Sequence, residues 1–203
     1  SHINGLFEEL KKDSPKEEFT IGIEDDVTNL SIEPVDITVD ADYTSCIFYG
    51  LGSDGTVGAN KSTVKIIGNN TDLYSQAYFA YDSKKSGGVT RSHLRFGKSP
   101  IHSPYYIDKA DFISCSLDSY CFQFDMVRDL KEGGTFLLNT TIPAEEIADR
   151  LPNRILARLA RRHAKFYIIN ATKIAQDTGM GRFTNTILQA AFFRLNEQIM
   201  PYS

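Results

Sequence analysis

Cysteine is scarce in this chain: Cys46, Cys115 and Cys121 are the only three in 203 residues. They show no C-x-x-C spacing. A structural zinc or iron–sulfur site needs about four thiolate or imidazole ligands, so these cysteines alone cannot build one. Cys46 and Cys115 stand in apolar, strand-like runs, where cysteine behaves as a small hydrophobe. The expectation is therefore inert buried thiols in a reducing, cytoplasmic compartment, with the sequons at Asn60, Asn69 and Asn139 unglycosylated. Long apolar runs are missing as well. None approaches the length that spans a bilayer, and no basic-then-apolar signal is seen, so no membrane is expected as a partner. Surplus positive charge is absent: 22 Lys and Arg face 26 Asp and Glu, a net charge of −4 that argues against nucleic-acid binding. The first residue is Ser1 rather than methionine, which raises the expectation of a fragment of a larger protein. What is present, 41% hydrophobic and 24% charged residues, suits one well-packed soluble α/β domain with some sequence to spare.

The net charge hides an asymmetry. Residues 1–42 hold 12 acids against three bases, whereas the remainder holds 14 acids against 19 bases. Residues 1–42 read as an acidic connecting arm, not expected to fold alone. Leu6, Phe7 and Leu10 suggest a short helix in it, and 19–23 a strand, with Pro15 and Pro34 as punctuation. Asp25 and Asp26 read as interdomain contacts rather than metal ligands, because no other carboxylates cluster with them. Between residues 60 and 100, Lys61, Lys65, Lys84, Lys85, Arg91, Arg95 and Lys98 face only Asp72 and Asp82. Such a stretch is either a solvated face or a site for a phosphorylated small molecule.

From Tyr43 the chain alternates strands and helices. Strands are expected at 45–49, 76–81, 89–96, 111–115, 135–139 and 165–170. The turn 83–88 makes 76–81 and 89–96 a hairpin. Helices are expected at 58–67, ended by Gly68, at 122–131, stopped by Gly133-Gly134, and within 143–163. Two more follow, separated by Gly179 and Gly181, and the last is amphipathic through Leu188, Ala191, Phe192, Leu195 and Ile199. Residues 43–203 thus predict a three-layer α/β/α sandwich, with a Rossmann-like, mostly parallel sheet carrying one antiparallel hairpin.

The informative stretch runs from Gly50 to Ser62, Gly-Leu-Gly-Ser-Asp-Gly-Thr-Val-Gly-Ala-Asn-Lys-Ser. It lies between a strand and a helix, where free backbone N–H groups and the helix dipole favour an anion. Ser53 and Thr56 add hydroxyls and Lys61 a charge. Gly50, Gly52 and Gly55 fit the dinucleotide fingerprint G-x-G-x-x-G, with Asp72 near the spacing of a ribose-binding acid. A Walker A loop fails because Asn60 replaces its second glycine, and Asp54-Gly55 with Asn69-Asn70 are far too close together for a thiamine diphosphate motif. A tight turn without a ligand remains open at this point. His93, in a strand, reads as a structural donor rather than a base.

Three motifs then follow in order: Gly50 to Lys61, residues 76–88 (Gln-Ala-Tyr-Phe-Ala-Tyr-Asp-Ser-Lys-Lys-Ser-Gly-Gly) and residues 92–101 (Ser-His-Leu-Arg-Phe-Gly-Lys-Ser-Pro-Ile). Together with 108–112, 131–136, 165–170 and Thr184-Asn185, this series resembles the γ-type domain of pyruvate:ferredoxin/flavodoxin oxidoreductases over nearly the whole chain. The resemblance implies a parent enzyme that joins pyruvate and coenzyme A into acetyl-coenzyme A. That parent would use thiamine diphosphate, Mg and 4Fe–4S clusters held in its other domains, pass electrons to ferredoxin or flavodoxin, and form a homodimer. It implies coenzyme A as the ligand of this domain, and no catalytic residue here. The coenzyme would lie against Gly52, Ser53, Asp54, Gly55, Thr56, Val57, Gly58, Asn60 and Lys61, with Lys84, Lys85, Ser86 and Arg95 as countercharge and donors. An interdomain scaffold and a dinucleotide module are the rival readings.

Overall fold

The computed structural model describes residues 2–23, 26–35, 42–81, 88–181 and 183–201. The chain divides into two compact units, Ser1–Ala41 and Asp42–Ser203. In the first, helix α1 (His2–Leu10) packs on a two-residue parallel pair, β1 (Thr20–Ile21) and β2 (Ser31–Ile32). Gly5 is the close contact there: a Cβ on it would come within 2.3 Å of the Glu33 carbonyl. Asp26 accepts from the Thr28 N–H and hydroxyl and from the Ser31 N–H, closing its own turn. Asp25 lies outside the described residues.

The larger unit carries β3 (Tyr43–Leu51), α2 (Thr56–Asn70), β4 (Tyr74–Tyr81), β5 (Val89–Gly97), β6 (Ala110–Cys115), α3 (Tyr120–Gln123) and β7 (Leu130–Asn139). These are followed by α4 (Ile147–Arg150), α5 (Asn153–Arg161), β8 (Lys165–Ile169), α6 (Ala171–Asp177) and α7 (Thr184–Leu195). The sheet order is β4-β5-β3-β6-β7-β8. β3, β6, β7 and β8 are parallel, and β4 and β5 are the antiparallel pair.

Side-chain alternation along the strands divides the core in two. Cys46, Phe48, Leu94, Phe96, Phe112 and Leu137 pack with Ile67 of α2 and Leu188 and Phe192 of α7. Ile47, Tyr49, Ile113, Cys115, Phe136 and Leu138 face the other way, onto Cys121 of α3 and Ile155 and Leu159 of α5. This is the three-layer sandwich that the strand–helix rhythm predicts.

Two local expectations are corrected. Gly133-Gly134 does not stop a helix: α3 is one turn long, Met126–Asp129 is a 3-10 turn, and β7 already begins at Leu130. Leu130 is fully buried and pairs with Ala110, while the next pair is Phe112 with Thr135. The glycines therefore lie in a bulge, Gly133 at φ 66° and Gly134 against the Leu130 side chain. Helix α2, in turn, starts at Thr56 and runs through Gly68 to Asn70, closed by Thr71 in an extended conformation.

Candidate functional site

The parallel strands all end on one side of the sheet. After β3 the chain crosses to the α2–α7 face, and after β6 to the α3–α5 face. Such a switch point opens a crevice between the two strand ends, and the glycine loop spans it. Asp54 anchors the loop. One carboxylate oxygen accepts from the Leu51 N–H (2.8 Å) and the Ser116 hydroxyl at the end of β6 (3.0 Å), and the other accepts from the Thr56 N–H (2.7 Å). Ser53 and Gly55 adopt left-handed conformations, φ 76° and 88°. Gly50 gives way to the Thr56 side chain, which would lie 2.6 Å from an added Cβ. With Asp54 on Leu51 and Thr56, and the Gly52 N–H on the Gly88 carbonyl at 2.8 Å, the N–H groups of Ser53, Gly55, Val57 and Gly58 meet no acceptor among the described residues. Free N–H groups at the start of a 15-residue helix can receive phosphate oxygens.

Helix α7 braces this loop. Asn185 donates to the Gly55 carbonyl (3.3 Å), and Gln189 donates to the Ala59 carbonyl (3.0 Å) and the Thr63 hydroxyl (2.8 Å). Beneath the loop lies a cavity of about 20 Å³, lined in part by Thr56, Asn60, Ser114, Ser116 and Asn185. Asn60 is buried and its amide nitrogen has no hydrogen-bond partner among the described residues, nor has the Asn185 amide oxygen.

The sequence-predicted residues do not all converge. Gly52 to Asn60 form the loop and the first turn of α2. Asp54 is a brace whose oxygens are taken by three donors, and Asn60 faces the cavity. Lys61 is exposed on α2, its Nζ 5.5 Å from the centre of the Phe79 ring of β4. Lys84, Lys85 and Ser86 lie outside the described residues; the strands on either side of them, ending at Tyr81 and starting at Val89, stop level with Leu51 and Gly50. Arg95 is displaced from the group. It pairs with Ser45 of β3, five residues and roughly 16 Å along the strand from Gly50, at the opposite end of the sheet. Asp72 is at that far end too, just before Tyr74, which aligns through Gly97 with Tyr43, so it cannot serve as a ribose-binding acid for this loop.

Arg91, counted in the sequence only as one base among several, stands beside the loop instead. It is exposed, opposite Tyr49, with its guanidinium over the Tyr49 and Phe124 rings at 5.4 and 5.9 Å. The signal for it was its position two residues into the returning strand. His93 is an acceptor rather than a donor: its Nδ1 takes the Ile107 N–H at 3.1 Å. Burial, and then Arg95 and Arg91, hold the ring well below the usual imidazole value, at about 4. The three cysteines are buried and unpaired. Burial pushes the thiols of Cys46 and Cys115 well up and that of Cys121 to about 12.

A three-layer α/β sandwich whose glycine loop, with N–H groups that meet no acceptor among the described residues, spans the switch point defines a Rossmann-like domain. The family model for pyruvate ferredoxin/flavodoxin oxidoreductase matches residues 45–200, and the chain belongs to that family. It is 54% identical over 98% of its length to a pyruvate-flavodoxin oxidoreductase of Enterobacter agglomerans, and 51% identical over 96% to a pyruvate:ferredoxin oxidoreductase of Moorella thermoacetica. It spans only 17% of the length of each of these relatives. Among solved structures, the pyruvate oxidoreductase subunit PORC of Thermotoga maritima shares the fold, with TM-score 0.62, 20% identity, and 79% of this chain aligned to 80% of that one. So does a 2-oxoglutarate:ferredoxin oxidoreductase of Magnetococcus marinus with 2-oxoglutarate, coenzyme A and succinyl-CoA bound, with TM-score 0.57, 14% identity, and 79% of this chain aligned to 26% of that one. Among the described residues, no helix is long and apolar enough to cross a membrane.

Proposed function

We propose that this chain is the coenzyme A-binding domain of an oxidoreductase that converts pyruvate and coenzyme A to acetyl-coenzyme A and carbon dioxide, passing electrons to ferredoxin or flavodoxin. The observation that carries the reading is the set of unclaimed N–H groups on Ser53, Gly55, Val57 and Gly58 at the crevice. Their chemistry suits a pyrophosphate. Arg91 beside the loop, together with Lys84 and Lys85 of the segment that joins β4 to β5, supplies countercharge to a further phosphate. Asp54 is engaged by three donors of the chain itself, the Leu51 and Thr56 N–H groups and the Ser116 hydroxyl. The chain's task is to bind and present the thiol. Thiamine diphosphate, Mg and 4Fe–4S clusters do not suit these residues: the cysteines number three and are buried, and no group of three or more His, Cys, Asp and Glu gathers among the described residues. We assign those groups to the remaining length of the enzyme. The position of Asp72, far from the loop, weighs against a dinucleotide.

Calorimetric titration of the chain with coenzyme A, dephospho-coenzyme A and NAD tests the proposal. Screened phosphate contacts at an open surface predict a coenzyme A dissociation constant on the order of 0.1–1 mM, roughly 4–5.5 kcal/mol. The dephospho form should bind more weakly, and Lys84→Ala with Lys85→Ala should narrow that difference. Tighter binding of NAD than of coenzyme A overturns the reading.

A further inference from the structure

The β4–β5 wing has helix α2 on one face only. Its other face, carrying Tyr78, His93 and Arg95, is met by the segment 98–109 between β5 and β6. Arg95 is 2% exposed. Nη1 donates to the Gln76 side chain (3.1 Å) and Nη2 to the Tyr105 carbonyl (2.8 Å), while Nε is buried with no partner among the described residues. No carboxylate pairs with it among the described residues. Asp111, which accepts the N–H of Arg95's cross-strand neighbour Ser45, is also engaged by Lys131 at 2.9 Å. A buried guanidinium with no anion among the described residues is costly, and the faces of Tyr43 and Tyr105, 5.7 and 4.9 Å away, offset only part of that cost. The hydroxyls of Tyr43, Ser103 and Tyr105 form a closed triangle with sides of 2.9, 3.3 and 3.3 Å. Around it the rings of Tyr74, Tyr78, Tyr105 and Tyr106 are each about half exposed, an aromatic surface of the kind that anchors interfaces.

We propose that the hydroxyl triangle and the cation behind it receive an Asp or Glu side chain from another part of the longer oxidoreductase polypeptide, with the surrounding tyrosines packed against the segment that carries it. The charge calls for an anion, and the rings call for a protein surface rather than a free ion. The relatives supply more than four-fifths of their length outside this domain. This docking surface lies at the opposite end of the sheet from the glycine loop. The inference rests on family membership and not on the coenzyme A reading.

The test uses the full-length oxidoreductase, with a photoreactive phenylalanine analogue at Tyr78 or Tyr106 and peptide mapping of the cross-link. The expected product joins this domain to one peptide of the same enzyme, outside residues 1–203, next to an Asp or Glu. Arg95→Gln should lower its yield about tenfold. Tyr105→Phe, which removes only a hydroxyl from a half-exposed ring, should lower it severalfold with the thermal midpoint held. Substituting the mapped acid by its amide should act like Arg95→Gln. A peptide without an acid, a cross-link to an added electron-acceptor protein, or a yield unchanged in Tyr105→Phe would each overturn the proposal.

Discussion

Replacing Asp54 by Asn keeps the size of the side chain and removes half of what it does. The carboxylate offers two acceptors to three donors: Leu51 N–H and Ser116 Oγ on one oxygen, Thr56 N–H on the other. An asparagine has one oxygen. Turned toward Thr56, it sets its NH₂ against the Leu51 N–H and Ser116; turned the other way, it sets it against Thr56. At least one charge-assisted bond is lost, at about 1.5–3 kcal/mol, and a half-buried N–H is left facing a donor. A total near 3 kcal/mol, at about 2–4 °C per kcal/mol for a chain of this size, lowers the melting temperature by roughly 6–12 °C. Ser116→Ala removes a single hydroxyl bond and should cost about 1 kcal/mol, or about 2–4 °C. Differential scanning calorimetry of the three proteins decides the matter. Equal melting temperatures for Asp54→Asn and the parent sequence would show that the loop is not held by this carboxylate.

Gly55→Ala places a Cβ at φ 88°, 2.9 Å from the Asn185 side chain. It should cost about 1–3 kcal/mol in a urea titration and weaken coenzyme A binding, and an unchanged midpoint would contradict the geometry. Gly58→Ala, with open space at its Cβ, should leave stability nearly unaltered. His93 titrates near 4 in the fold and near 6.5 when unperturbed. Between those values the unfolded chain binds a proton that the folded chain refuses, so stability falls as pH drops through that window. Urea midpoints at pH 7 and pH 5 should show the loss, and His93→Gln should flatten it; parallel pH dependences would exclude His93 as the cause. The three cysteines should resist a thiol reagent in the native state and react together on unfolding, whereas rapid labelling of one would mean that its burial is breached.

The alternation of strands and helices was legible because most elements have a run of one period, several of them bounded by a glycine or proline, while β6 and β8 stand out by their apolar runs alone. The hairpin, the glycine loop and the strands near 111, 135 and 165 all emerged in that way. What misled was context. Gly133-Gly134 reads as a stop in the sequence, but a strand that must skip residues to align with β6 uses the same pair for a bulge. Arg95 follows Arg91 by four residues, and in sequence the two look like one basic patch. In an extended strand that spacing carries them to different ends of the sheet, one beside the loop and one beneath the tyrosines. The role of Asp54 as a brace was not legible, because with the helix expected only from 58 the sequence reads this acid as one more residue of the coenzyme-facing loop. Its bond to Ser116 joins positions 62 residues apart, and no local pattern announces that.

β4 closes one side of the sheet, and its eight residues, Tyr-Ser-Gln-Ala-Tyr-Phe-Ala-Tyr, contain neither a charge nor a proline. It pairs with β5 from Tyr74 to Tyr81 without a bulge. Terminal strands in free-standing proteins are usually guarded by lysine, proline or a kink, because an unguarded one offers its backbone to the next molecule. Made apart from the longer polypeptide, this domain therefore carries its own polymerisation template, and soluble yield should rise when a lysine replaces the exposed Tyr78.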